Sequence, residues 1–205
     1  MLSAVRTLAR LFTTFAIVAA VVAIALLGPS LPAQAEEELL RGPHPFIKDS
    51  EVTLHAGYSA GFGDNVRGLR VQGDYLYRLQ QSVWLDLQMA VIAGSCHSDP
   101  AICSSGSGAA VDIAAGAVWK FQTNLPIVPY VKAAAGPLFL FPQDSRSAAG
   151  VLLRGGLGAH YYLFDWFGVG AEVSGAGGVA FYGVAGHNTS GVGDVAATVG
   201  VALQF

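Results

Sequence analysis

The densest group of reactive side chains is Cys96, His97, Asp99 and Cys103, within the polar run GSCHSDPAICSSGSG. Two thiols this close would, if the chain is exported, read as a disulfide closing a surface loop. The chain-entropy account gives such a short loop roughly 2–3 kcal/mol. The competing chemistry is a metal centre, because two thiolates, an imidazole and a carboxylate suit zinc. Glycine-rich stretches such as GGLGAH and GAGGVAFYG lack the lysine of a phosphate-binding loop. They read as close-packing positions on strands. Asn188-Thr189-Ser190 matches a glycosylation acceptor and reads as loop chemistry. No catalytic motif rises above this background, so the expectation is a non-enzyme with no cofactor and no resident metal.

A second set of ionisable residues is spread along the chain: Arg70, Asp74, Arg78, Asp86, Asp112, Lys120, Lys132, Arg154, Glu172 and Asp194. Each falls on the polar side of an alternating segment. Side chains alternate across a strand, so such a set shares one face of a sheet. Enclosed charges are costly unless paired, and both signs occur on neighbouring segments. The set is therefore expected to form a paired internal network, with Lys132, Arg154 and Glu172 at mid-height beside Asp74, Asp86 and Asp112. The rival reading makes the same charges the lining of a narrow pore.

The segments that would carry them are strands. Alternation predicts strands at about 50–62, 67–79, 82–93, 109–121, 127–139, 150–163 and 166–180, and an eighth that ends the chain. In that last stretch Val195, Ala197, Val199, Val201, Leu203 and Phe205 face one way, and Asp194, Ala196, Thr198 and Gln204 the other. Connections at one end have a few residues. At the other end 94–108, 140–149 and 182–190 read as longer loops, and Gly63-Asp64-Asn65 is turn chemistry.

Composition agrees with strands rather than long helices. Of 205 residues, 12% are charged and 26 are glycine, against roughly 25% and 7% in ordinary soluble domains. Glycine is costly inside helices. The net charge of -3 and the absence of a basic patch give no support for nucleic-acid binding. Residues 1–35 have a basic start (Arg6, Arg10), an apolar run from Leu11 to Leu27, and Ala33-Gln34-Ala35 followed by Glu36. That is the layout of a secretory signal peptide cleaved between Ala35 and Glu36. A permanent anchor is the alternative, since the run approaches the roughly 20 residues that span a bilayer. Residues 36–49, with Pro43 and Pro45, read as an extended periplasmic leader. Residues 50–205 carry the alternating segments.

Aromatics sort by height in this scheme. Tyr75, Tyr77, Trp84, Trp119, Phe121, Tyr130, Tyr161, Phe164, Trp166, Phe167 and Phe205 lie at the short-turn end. Tyr58, Phe62, Phe139, Phe141, Phe181 and Tyr182 lie at the other. Two aromatic girdles around an aliphatic band fit a bilayer. Every backbone group in lipid must be paired, which leaves a closed barrel as the spanning form for such strands. The expected fold is all-β: an eight-stranded antiparallel up-and-down transmembrane β-barrel behind a cleavable signal peptide.

The signal peptide, the eight amphipathic strands and the terminal TVGVALQF resemble the outer-membrane β-barrels of the OmpA/OmpX-like class over residues 50–205. The resemblance implies export through the Sec pathway, a Gram-negative outer-membrane location and contact with outer-membrane lipids. It also implies that Val201, Leu203 and Phe205 are read by the barrel-assembly machinery. Eight-stranded lipid A deacylases use Ser, His and Glu; His160 and Glu172 are present here, but the serine's place two residues after the histidine is Tyr162. The function expected is structural or surface-interactive, with any surface ligand held by the external loops. A narrow channel for ions or small solutes is the alternative, and a soluble lipocalin-like binder is the third reading.

Overall fold

In the computed structural model, residues 48–96, 107–121, 123, 125–142, 147–184 and 187–205 are described. They form eight strands: β1 (Ser50–Gly63), β2 (Val66–Arg78), β3 (Val83–Cys96), β4 (Gly108–Lys120), β5 (Ile127–Pro142), β6 (Ala148–Tyr162), β7 (Phe167–Val184) and β8 (His187–Gln204). Each pairs antiparallel with the next, and β8 pairs with β1, so the sheet closes as a barrel without an edge. Register partners traced once around the barrel run Ser50, Tyr77, Leu85, Ala117, Ala133, Gly155, Gly175 and Val195. The path returns to β1 at Ala60, ten residues up the strand. That stagger tilts the strands, and with eight of them the interior is only wide enough for side chains to fill.

The alternation decides what fills it. On β2, Leu69, Val71, Tyr75 and Tyr77 are exposed on the outside, while Arg70, Gln72, Asp74 and Leu76 are buried within. The same inversion holds around the barrel. Leu157 and Val199 are 63% and 67% exposed, whereas Arg154 is 1% exposed. The large apolar side chains on the outside cover a belt, and most ionisable groups are inside.

Several expectations change. Strands β7 and β8 run on to Val184 and from His187, with a register irregularity between Phe181 and Val184. Much of the expected 182–190 loop is therefore strand, with Val184 opposite His187, Thr189 opposite Phe181 and Ser190 opposite Ala180. Gly63, with a φ of 65°, enters the two-residue turn to β2, a conformation that suits glycine. The far-end loops shrink to 97–107 and 143–147 with two tight connections. Cys96 is the last residue of β3, with its Cα opposite Val66 of β2, not a loop residue. No disulfide is present among the described residues, which corrects the expected Cys96–Cys103 bond. Cys103, His97 and Asp99 lie outside the described residues. So do residues 1–35, read as a signal peptide, the expected cleavage site at Ala35–Glu36, and the expected leader up to residue 47.

The girdles are also revised. Trp84, Tyr130 and Tyr182 point into the barrel and are buried. Each shares strand parity with inward residues: Trp84 with Asp86, Tyr130 with Lys132, Tyr182 with Glu172. Tyr77, Trp119, Phe121, Tyr161, Phe164, Trp166 and Phe205 remain exposed at one end, and Tyr58, Phe62, Phe141 and Phe181 toward the other. Arg78 is not interior: it makes a 3.4 Å ion pair with exposed Asp49 at the short-turn rim.

Candidate functional site: the charged barrel interior

The interior is layered. At the short-turn end Glu51, which sequence reasoning left unassigned, is the hub. The Tyr162 hydroxyl donates to Glu51 Oε2 at 2.5 Å and Gln204 Nε2 donates to the same oxygen at 2.8 Å. Lys120 Nζ lies 2.8 Å from Glu51 Oε1, an ion-pair contact without hydrogen-bond angles. His160 Nδ1 is 3.3 Å from that oxygen. Lys120 Nζ also sits 4.1 Å from the centroid of the Trp84 ring, where the ring face attracts a cation. Glu51 comes from β1, Trp84 from β3, Lys120 from β4, Tyr162 from β6 and Gln204 from β8, so this end is tied across the barrel rather than along one hairpin.

The middle layer joins three of the expected residues. Lys132 Nζ is 2.7 Å from Glu172 Oε2 and 3.7 Å from Asp74 Oδ1. The Tyr130 hydroxyl donates to Glu172 Oε2 at 3.0 Å. Thr53 and Gln72 donate to Asp74 at 2.8–3.1 Å. Small residues make room for these side chains. A Cβ at Gly158 would lie 2.6 Å from Tyr130 Cζ, and one at Gly168 would lie 2.8 Å from Tyr162 Cδ1.

Above it, Gln72 Oε1 accepts from Arg70 Nε and Nη2, which links the layers. Arg70 Nη1 is 3.1 Å from Asp112 Oδ2, and Arg154 Nη2 is 3.2 Å from the same oxygen. Arg154 grips Asp194 with both terminal nitrogens at 3.0 and 2.9 Å, the bidentate geometry that a planar guanidinium favours. Asn65 donates to Asp194 from the β1–β2 turn at 3.3 Å.

Toward the far end the polarity changes. Val66, Ile92, Leu138, Leu140, Leu152, Tyr182 and Val192, with several alanines, form one buried apolar cluster across the barrel. A charged column is thus capped by an apolar plug, a layer that sequence reasoning missed. Its signal was present: Leu138, Leu140 and Leu152 share parity with Lys132 and Arg154.

Of the expected network, Asp74, Lys132 and Glu172 meet in one layer, and Asp112 and Arg154 in the next. Asp86 stands apart: it is fully buried, and neither carboxylate oxygen has a hydrogen-bond partner among the described residues. His160 faces Glu51 rather than Glu172, and Tyr162 points inward beside it. Val201 and Leu203 lie on β8 opposite Leu54 and Val52 of β1, at the seam that closes the barrel, and Phe205 follows with its side chain exposed. Among the described residues, no group of three or more His, Cys, Asp or Glu side chains is placed to hold a metal ion.

No protein-family model matches the chain, and no curated protein matches it. Solved structures do resemble it. Neisserial surface protein A aligns over 77% of this chain and 98% of its own, with 14% identity and a TM-score of 0.56. The outer membrane protein OprG from Pseudomonas aeruginosa aligns over 78% and 98%, with 11% identity and a TM-score of 0.52. At these identities the likeness is one of fold. The chain folds as an eight-stranded antiparallel β-barrel resembling small outer-membrane barrel proteins.

Proposed function

We propose that the protein is a small outer-membrane β-barrel whose role is structural or surface-interactive and non-catalytic. The observation that carries this reading is the inverted polarity: an edgeless barrel exposes a belt of large apolar side chains and, among the described residues, buries ten charged ones, Arg70, Lys132, Arg154 and Glu172 included. Water would penalise that exterior, whereas lipid would not. Export by residues 1–35, cleavage at Ala35–Glu36 and recognition of Val201, Leu203 and Phe205 by the assembly machinery belong to the same proposal. The connections at 97–107 and 143–147 would face outward from the cell and carry any ligand contact. The apolar plug favours a closed barrel over the channel reading, because Leu138, Leu140 and Leu152 belong to one buried apolar cluster that a hydrated ion would have to pass.

The test is fractionation with gel mobility. The mature protein is expected in the outer-membrane fraction, with a band that shifts only after boiling in SDS. Trypsin added to intact cells should cut after Arg146, in the 143–147 connection, and spare Lys48 until the cells are opened. A soluble protein with no heat-dependent shift would overturn the membrane reading. Cleavage at Lys48 alone on intact cells would invert the topology. Replacing 97–107 by a two-residue turn should leave the gel shift intact and remove surface binding, if that loop carries it.

A further inference from the structure

The inward face of β3 carries a run of polar atoms that protein groups leave unmatched. Trp84 Nε1, both carboxylate oxygens of Asp86, and Oε1 and Nε2 of Gln88 are all buried without a hydrogen-bond partner among the described residues. Trp84, Asp86 and Gln88 are 0%, 0% and 2% exposed. Asp86 is flanked in register by Leu76 on β2 and Gly116 on β4, and neither side chain has a donor to offer. Six inward carboxylates (Glu51, Asp74, Asp86, Asp112, Glu172, Asp194) face four inward lysines and arginines (Arg70, Lys120, Lys132, Arg154). Each of the four cations already contacts a carboxylate other than Asp86. Leaving a buried carboxylate without donors is costly.

Beside Asp86 lies a cavity of about 10 Å³ whose walls include Asp74, Asp86, Lys120, Lys132 and Glu172. That is close to the least space one water molecule needs, and a water held there requires two to four polar partners. The walls supply them, since Lys120 and Lys132 carry ammonium donors and Asp86 a carboxylate acceptor. A multidentate metal site is a poor fit, since no trio of ligating side chains is close enough among the described residues.

We infer that this cavity is a built site for a single water molecule. It donates to the Asp86 carboxylate and accepts from the ammonium of Lys120 or Lys132. The water ties Asp86 to the lysine it contacts, so the carboxylate that protein groups leave unmatched joins the charged column. This inference concerns the interior alone and does not depend on the surface role proposed above.

The test is a crystal structure of the refolded barrel, together with Asp86→Leu and Asp86→Asn. The native barrel should show one density peak within hydrogen-bond distance of an Asp86 oxygen and of a lysine Nζ. Asp86→Asn should keep the peak, and Asp86→Leu should lose it. A direct Asp86–lysine contact with a dry cavity overturns the inference. So does a peak with anomalous signal and metal-like short contacts, or a peak that persists unchanged in Asp86→Leu. If Asp86→Leu does not refold, the native and Asp86→Asn structures decide: a peak bonded to residue 86 in both supports the site, and its absence from the native barrel refutes it.

Discussion

The two halves of the barrel interior solve one packing problem with opposite chemistry. From Glu51 up to Asp194 most inward side chains are tied by ion pairs and hydrogen bonds in which individual atoms meet at 2.5–3.7 Å, beside smaller buried apolar groups that include Leu76 and Val118. Toward the far end the space is filled by Ile92, Leu138, Leu140, Leu152 and their neighbours, which need only shape. A buried charge that loses its partner is penalised far beyond the pair's own net worth. A buried leucine that is truncated loses transfer energy and leaves a cavity. The column should therefore be brittle to single changes and the plug graded. The outer belt poses neither demand, because its side chains remain exposed.

The largest effect should come from Arg154→Ala. Asp194 loses its bidentate partner and Asp112 one of two arginines, so the barrel should lose about 3–5 kcal/mol, the range for breaking a buried pair. Urea unfolding in lipid vesicles, read from tryptophan fluorescence or the heat-dependent gel shift, measures it. Leu138→Ala in the plug should cost about 2–5 kcal/mol, with a spread set by how far Leu140 and Leu152 relax. If Arg154→Ala proves milder than Leu138→Ala, the contrast between the halves fails.

Trp84→Leu keeps an apolar side chain but removes the ring face under Lys120. A loss of about 0.5–2 kcal/mol is expected from the cation–π contact, by the same unfolding assay. The smallest net change should follow the triple substitution Arg154→Leu, Asp112→Leu and Asp194→Leu combined with Arg70→Met. It extends the plug downward and removes the charges together, and such replacements are often neutral or stabilising. A triple-plus-one variant as unstable as Arg154→Ala would mean that the column's value lies in its geometry and not in matched charge. Planar-bilayer recordings complete the comparison: the native barrel should give no stepwise conductance, and steps through the native protein would show that the plug does not seal it.

Alternation made much of this legible beforehand. Period-2 patterning places Arg70, Asp74, Asp112, Lys120, Lys132, Arg154, Glu172 and Asp194 on the inner face, and all are buried there. The errors came where height was read without parity. Position along the strand places Trp84, Tyr130 and Tyr182 in the girdles, whereas the parity they share with inward residues two places away turns them into the barrel. Loop composition misled as well. Thr189 and Ser190 look like loop residues, but they pair with Phe181 and Ala180 as strand. Cys96 likewise belongs to the end of a strand.

The sequence by itself determined the number of strands, their order, and which side chains share the interior. These follow from local alternation and short connections, each contained in about a dozen residues. Only the tertiary structure decided who meets whom inside. Glu51 and Tyr162 are 111 residues apart, and Glu51 and Gln204 are 153 apart. They touch because β8 closes on β1 with a ten-residue stagger. Closure and stagger together set the height of each inward side chain relative to those on distant strands. That relative height separates the charged column from the apolar plug, and it leaves Asp86 beside a cavity while its neighbours find partners.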